Sequence, residues 1–268
     1  MLKSIVVSTA MTKFSALAFQ DNFADSIAKI AKLGFDAVEL AVRDPNCINP
    51  GEIQEVLLEY HLFVPAIGTG QAYGEEGLSF TSAERAVRRQ AVRRIREQMD
   101  LARQLGGAQV IIGLIRGRAE SGVSPELAES YFVAAMQECA VYQPEILLTV
   151  EPINRYETNL YNDTVSVRRI IDKIDRPNVK ILYDTFHMNI EEPDMIRAIL
   201  ASRHYISHVH FADSNRWAPG CGHLDFGAVI AALREIGYDK AISAEILPQP
   251  SPEESAGLTM EFFKRMNL

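Results

Sequence analysis

Short apolar runs alternate with helix-period segments eight times along this chain, and no other feature limits its fold so tightly. The runs are "KSIVVST", "FDAVELAV", "LFVPAIGTG", "AQVIIGLI", "EILLTVEP", "VKILYDT", "ISHVHFAD" and "AISAEIL". Their middles are apolar throughout rather than alternating, as expected of parallel strands buried on both faces. Eight strand–helix units in 268 residues have the size of a (β/α)8 barrel. An open doubly wound sheet is the alternative, but no GxGxxG follows the first run. The expectation is α/β, a single (β/α)8 TIM barrel forming one domain over residues 1–268.

Helical periodicity fills the intervals: "NFADSIAKIAKLG", "GEIQEVLLEYH", residues 82–105, "PELAESYFVAAMQECAVY", "TVSVRRIIDKI", "PDMIRAILASR", "FGAVIAALREIG" and a last helix over 252–266. The 82–105 helix carries Arg85, Arg88, Arg89, Arg93, Arg94, Arg96 and Arg103. Val87, Ala91, Ile95 and Met99 make an apolar stripe, so its arginines read as a solvated face. "GTGQAYGEEG" reads as an active-site loop that does not open into a helix in the dinucleotide-binding manner.

The net charge of −8 opposes a general attraction to nucleic acid. No apolar stretch approaches the roughly 18 residues of a membrane span. The N-terminal "MLKSIVVSTAMTKF" has too short an apolar run for a signal peptide and reads as the first strand. Cys47, Cys139 and Cys221 show no CxxC spacing and fit a reduced, cytoplasmic setting.

In a (β/α)8 barrel the chemistry sits at the C-terminal ends of the strands. Those ends carry Glu39, Glu151, Asp184, His208, His210 and Glu245. Carboxylates crowded into one apolar-walled ring repel one another, and a divalent cation relieves this. Glu151, Asp184, His210 and Glu245 would supply three carboxylates and one imidazole. That donor set suits one ion, Mn²⁺, Co²⁺ or Mg²⁺, with Zn²⁺ as a further alternative, and affinity order alone does not choose among them. His208 and His210 share one face of their strand. His210, nearer the end, is taken as the ligand and His208 as a hydrogen-bonded core histidine. Glu39 fits either support of the metal or a plain salt bridge.

"EPINRYE" (151–157), "DTFHMNIEE" (184–192) and "HVHFADSNR" (208–216) resemble the ketose 3-epimerases of the xylose isomerase-like superfamily. The resemblance spans essentially the whole chain, with its specific motifs mostly in the C-terminal half. It implies the metal site of Glu151, Asp184, His210 and Glu245, with Glu151 and Glu245 also moving the proton. It further implies that Glu157, His187 and Arg216 hold the substrate's oxygens, and that the protein is a homodimer or homotetramer. "AVRDP", "AIGTGQAY", "IIGLIRGR" and "ADSNRWAPGCGH" look like the 5-keto-L-gluconate epimerases of inositol catabolism.

The chemistry is self-consistent. A proton beside a ketone is weakly acidic, and its removal leaves an enediolate whose charge a bound cation stabilises. One carboxylate takes the proton and a second returns one to the other face. Arg43, Arg116 and Arg118 lie just beyond strand ends in an acidic chain and suit an anionic sugar, although loop arginines are also commonly solvated or ion-paired. The expected partner is a small keto sugar or sugar acid, with a phosphorylated sugar left open, and neither nucleic acid nor a membrane is expected. Tyr73 and Trp217 are candidates for the pocket wall or its rim. The alternatives are a neutral-ketose 3-epimerase, an aldose–ketose isomerase of the hydroxypyruvate isomerase kind, an endonuclease-IV-like DNA repair enzyme and a non-catalytic sugar sensor.

Overall fold

A computed structural model describes residues 1–20, 22–120 and 122–268. Its eight strands are β1 (Leu2–Ser8), β2 (Ala37–Ala41), β3 (Ala66–Gly68), β4 (Gln109–Ile112), β5 (Leu148–Val150), β6 (Val179–Asp184), β7 (Ile206–Phe211) and β8 (Ala241–Ala244). They close in sequence order into a barrel, β8 pairing back onto β1, and all the pairings are parallel.

The helices are α1 (Phe23–Leu33), α2 (Pro50–Glu59), α3 (Gly70–Glu76), α4 (Arg85–Gln104), α5 (Pro125–Ala140), α6 (Thr164–Ile174), α7 (Thr185–Glu191), α8 (Met195–Ala201), α9 (Phe226–Glu235) and α10 (Pro252–Arg265). Their starts are written in the sequence. Asn22, Ser124, Asp163, Asp225 and Ser251 each accept a backbone N–H at a helix N-terminus. Pro125 and Pro252 occupy first-turn positions where no N–H is needed.

The core lies between the barrel and its helices. Ile27 and Ile30 of α1, Ile95 and Met99 of α4, and Phe262 and Phe263 of α10 are buried against Val38, Val110 and Phe211 of the strands. Burying these side chains removes apolar surface worth roughly 1.5–3 kcal/mol apiece. Among the described residues, no helix is long and apolar enough to cross a membrane.

Two expectations need correction, and one helix, α7, falls outside them. "GTGQAYGEEG" does open directly into a helix, α3, whose start at Gly70 immediately follows Thr69. Two glycines within it, Gly70 and Gly74, lower its intrinsic propensity and conceal it. Helix α7 begins directly at the end of β6 and is only seven residues long, too short to show a period. Arg94 does not belong to a solvated face. It is buried, donating to the Arg43 carbonyl and pairing with Glu76, Asp44 and Glu97.

Candidate active site

The strand ends converge. Glu151 follows the last residue of β5, Asp184 ends β6, His210 is the penultimate residue of β7, and Glu245 follows β8. One ligand atom from each of the four lies within 4.8 Å of the others. His210 Nδ1 is 3.6 Å from Asp184 Oδ2 and 3.9 Å from Glu151 Oε1.

Those three atoms are buried and have no hydrogen-bond partner among the described residues. Buried polar atoms are normally paired, because an orphan forfeits its hydration. Here the orphans face one another. Burial, and then Glu245, pushes the Glu151 carboxyl well above the usual carboxylate range. Burial also raises Glu245. For Asp184 burial acts upward too, but His187, His210 and Arg216 outweigh it and hold the carboxyl down at about 2. A divalent cation would engage all three orphans and relieve the mutual repulsion of the carboxylates, so these residues fit one.

Neighbouring groups aim these side chains. Asp184 Oδ1 accepts the backbone N–H groups of Phe186 (2.7 Å) and His187 (3.2 Å), capping α7, while Oδ2 turns into the site. Below lies a buried polar layer. His208 Nε2 is 2.7 Å from Glu39 Oε2, and His210 Nε2 is 3.0 Å from both Glu39 oxygens. Ser243 of β8 is 3.3 Å from His208 Nε2. Glu39 therefore keeps a proton on His210 Nε2 and leaves Nδ1 to face the carboxylates. Burial opposes a charge on His210, but Glu39, Asp184 and Glu245 outweigh it and hold its pKa well above the usual value.

The cavity above is lined by Glu157, His187 and Arg216 as well. Burial pulls His187 down to about 4, so its ring is neutral near pH 7. Asn154 Nδ2 lies 2.7 Å from His187 Nδ1 and donates 3.0 Å to Glu157 Oε1. His187 Nε2 therefore carries the proton, and it points toward Glu151 Oε1 at 3.7 Å. Arg216 bridges Glu157 (3.3 Å) and Glu245 (2.9 Å), with its guanidinium close to the rings of Phe14 and Phe186. Its backbone adopts a left-handed φ of 61°, a conformation costing a non-glycine residue about 1–2 kcal/mol. The loop around it holds that geometry. Arg216 N–H donates to the Asp213 carbonyl, its own carbonyl accepts from Leu247, and Asp213 accepts N–H groups from Ser214, Gly220 and Leu224.

The loop arginines behave differently from the rest of the expected site. None of the three lines the cavity. Arg116 is fully buried and donates to the carbonyls of Gly113, Leu160 and Tyr161, fastening the β4 loop to the β5 loop. Arg43 pairs with Glu75 and Glu76. Arg118 is exposed to solvent. Tyr73 and Trp217 also lie off the cavity wall, and Phe14 is the aromatic residue that lines it.

Sequence reasoning overlooked Lys13, Phe14 and Gly113 and took Gln71 and Glu75 only as part of an active-site loop; all five line the cavity. Their signal was positional, since each closely follows a strand end on the mouth of the barrel. At Gly113 a Cβ would approach Glu151 Oε2 to 3.0 Å, so the bare backbone is what admits that carboxylate.

Comparison with known proteins agrees with this architecture. The profile of the xylose isomerase-like TIM barrel family matches residues 27–266. An L-ribulose 3-epimerase of Methylomonas sp. (strain DH-1) is 33% identical over 228 residues, covering 82% of this chain and 77% of its own. A 3-dehydro-D-guloside 4-epimerase of Escherichia coli (strain K12) is 28% identical over 232 residues, covering 82% of this chain and 85% of its own. Among solved structures, a D-allulose 3-epimerase from Methylomonas sp. in complex with D-allulose superposes with a TM-score of 0.85 at 27% identity, covering 99% of this chain and 97% of its own. With the barrel closed, its carboxylates gathered at the mouth and the profile match running through nearly the whole length, the chain belongs to the xylose isomerase-like TIM barrel family.

Proposed function

We propose that this protein is a divalent-metal-dependent epimerase that inverts the carbon beside the ketone of a keto sugar. The observation that carries the reading is the pair Glu151 and Glu245. Both follow strand ends three strands apart around the barrel, and both line the cavity. Carboxylates on separated strands of one cavity suit removal of a proton from one side of a weakly acidic carbon and its return from the other.

A bound cation, Mn²⁺ being the leading candidate, would stabilise negative charge developing on the sugar oxygens. The chain supplies the rest. One glutamate removes the proton beside the ketone, giving an enediolate. The other delivers a proton to the opposite face. His187, neutral with its Nε2–H toward the cavity, can donate to a sugar oxygen, and Arg216 is placed to do the same. Asn154 and Glu157 hold that pair in position. Relatives named as epimerases of L-ribulose, D-psicose and 3-dehydro-D-guloside support a keto-sugar substrate. The finer form of the reading is a keto-hexuronate such as 5-keto-L-gluconate.

The test is proton exchange followed by NMR in D₂O. Chelated protein receives Mn²⁺ and then 5-keto-L-gluconate or D-fructose in separate tubes. Deuterium entering beside the ketone, with the epimer appearing, is expected for at least one sugar. Exchange accompanied by an aldose product would replace epimerisation with isomerisation. Absence of exchange with both sugars would remove the reading for these substrates.

A further inference from the structure

The cavity extends beyond the catalytic cluster along α3. Gly70, Gln71, Gly74 and Glu75 line it, and positions spaced in this way share one helix face. A Cβ on Gly70 or Gly74 would meet nothing within 4 Å, so the two glycines leave a bare groove. Thr12, Lys13 and Phe14, from the segment after β1, also line the cavity. Glu75 fastens this segment to α3. Its Oε1 accepts from the Thr12 hydroxyl and, at 3.3 Å, from the Lys13 backbone N–H, and its Oε2 accepts from Arg43 at 2.9 Å.

The cations of this wall can be accounted for one by one. Arg216 is paired with Glu157 and Glu245. Arg43, which does not line the cavity, is paired with Glu75 and Glu76. The Glu75 carboxylate accepts from three donors, and the Lys13 ammonium is not one of them. Lys13 is different: it is an exposed lysine on the cavity wall, and its ammonium makes no ion pair among the described residues.

We propose that Lys13 is the specificity-determining residue of this cavity and receives an anionic terminal group, a carboxylate, at the end of the sugar remote from the ketone. The proposal rests on the keto-sugar reading above and deepens it to sugar acids. It gives to Lys13 the role for which the loop arginines are misplaced. The Glu75 contact to the Lys13 backbone sets where the side chain springs from. The glycine face of α3 leaves room for the sugar chain to reach it.

Binding and exchange are measured separately. Mn²⁺-loaded wild-type protein, Lys13→Met and Lys13→Arg are titrated calorimetrically with 5-keto-L-gluconate and with D-fructose. Lys13→Met is expected to weaken the acid about 10-fold or more, the worth of a charge-assisted contact of roughly 1.4 kcal/mol or above, and D-fructose less than about twofold. Lys13→Arg should recover most of the loss. Added salt should weaken the acid for wild type more than for Lys13→Met. Equal weakening of both sugars, or wild-type protein that binds the acid no better than D-fructose, would overturn the assignment even if D-fructose undergoes exchange. Lysine-dependent binding of the acid without deuterium exchange would support Lys13 while removing the epimerase reading.

Discussion

Glu39 of β2 and His210 of β7 meet inside the barrel, with His210 Nε2 3.0 Å from both carboxylate oxygens of Glu39. The contact decides which imidazole nitrogen faces Asp184 and Glu151. Glu39→Gln should weaken Mn²⁺ binding to chelated protein by about 10–100-fold, the usual effect of losing a carboxylate behind a histidine ligand. Calorimetric titration with Mn²⁺ measures this directly. Unchanged affinity would mean that Glu39 serves only packing and charge balance.

Metal binding should also register as stability. A ligand that binds only the folded state at about 100 times its Kd adds roughly 2.7 kcal/mol, or about 5 °C or more in Tm at this size. Chelated protein should therefore melt lower and recover on addition of Mn²⁺. Asp184→Asn keeps an oxygen to cap α7 but loses the ligand charge, so it should fold and show little of the Mn²⁺-dependent rise. A full rise in that variant would place the cation elsewhere.

Glu151→Gln and Glu245→Gln should each lower kcat by at least about 10²–10⁴-fold, the range for a positioned acid or base. Deuterium exchange without epimer formation in one variant would identify which glutamate starts the reaction on the sugar tested. Wild-type turnover in both would end the two-base reading.

Gly113→Ala puts a methyl group 3.0 Å from Glu151 Oε2. The expected result is a fall in kcat of about 10-fold or more, since small misplacements of reacting groups are costly, with the folded structure retained by circular dichroism. Unaltered kcat would show that Glu151 can shift without consequence.

Arg116→Ala separates a fastening role from substrate contact. It removes three hydrogen bonds to buried carbonyls, each costing about 1–3 kcal/mol when left unmade. Tm should fall by several degrees, while the preference between acidic and neutral sugars stays constant. A selective loss on the acid at unchanged Tm would return Arg116 to the binding surface.

The barrel was legible because its signal is repeated. Seven of the eight apolar runs contain an observed strand whole, the first contains all of β1 but Leu2, and α6 occupies the segment "TVSVRRIIDKI" from end to end. The strand-end residues Glu151, Asp184, His210 and Glu245 could be read as one group because parallel strands bring their C-terminal ends together. What stayed hidden depends on contacts between segments distant in sequence. Arg94 looks solvated until Asp44, from the segment after β2, and Glu76, at the end of α3, meet it. Arg116 looks like an anion reader until the carbonyls of Leu160 and Tyr161 close over it. The groove along α3 was missed because glycines mask the helix whose bare face forms it.

The double use of Asp184 has a structural consequence. Because one residue ends β6 and caps α7, no linker exists there to act as a hinge. That side of the mouth is a fixed jamb. On the opposite rim the segment after β1 and α3 are separate stretches of chain, and the Glu75 side chain ties one to the other.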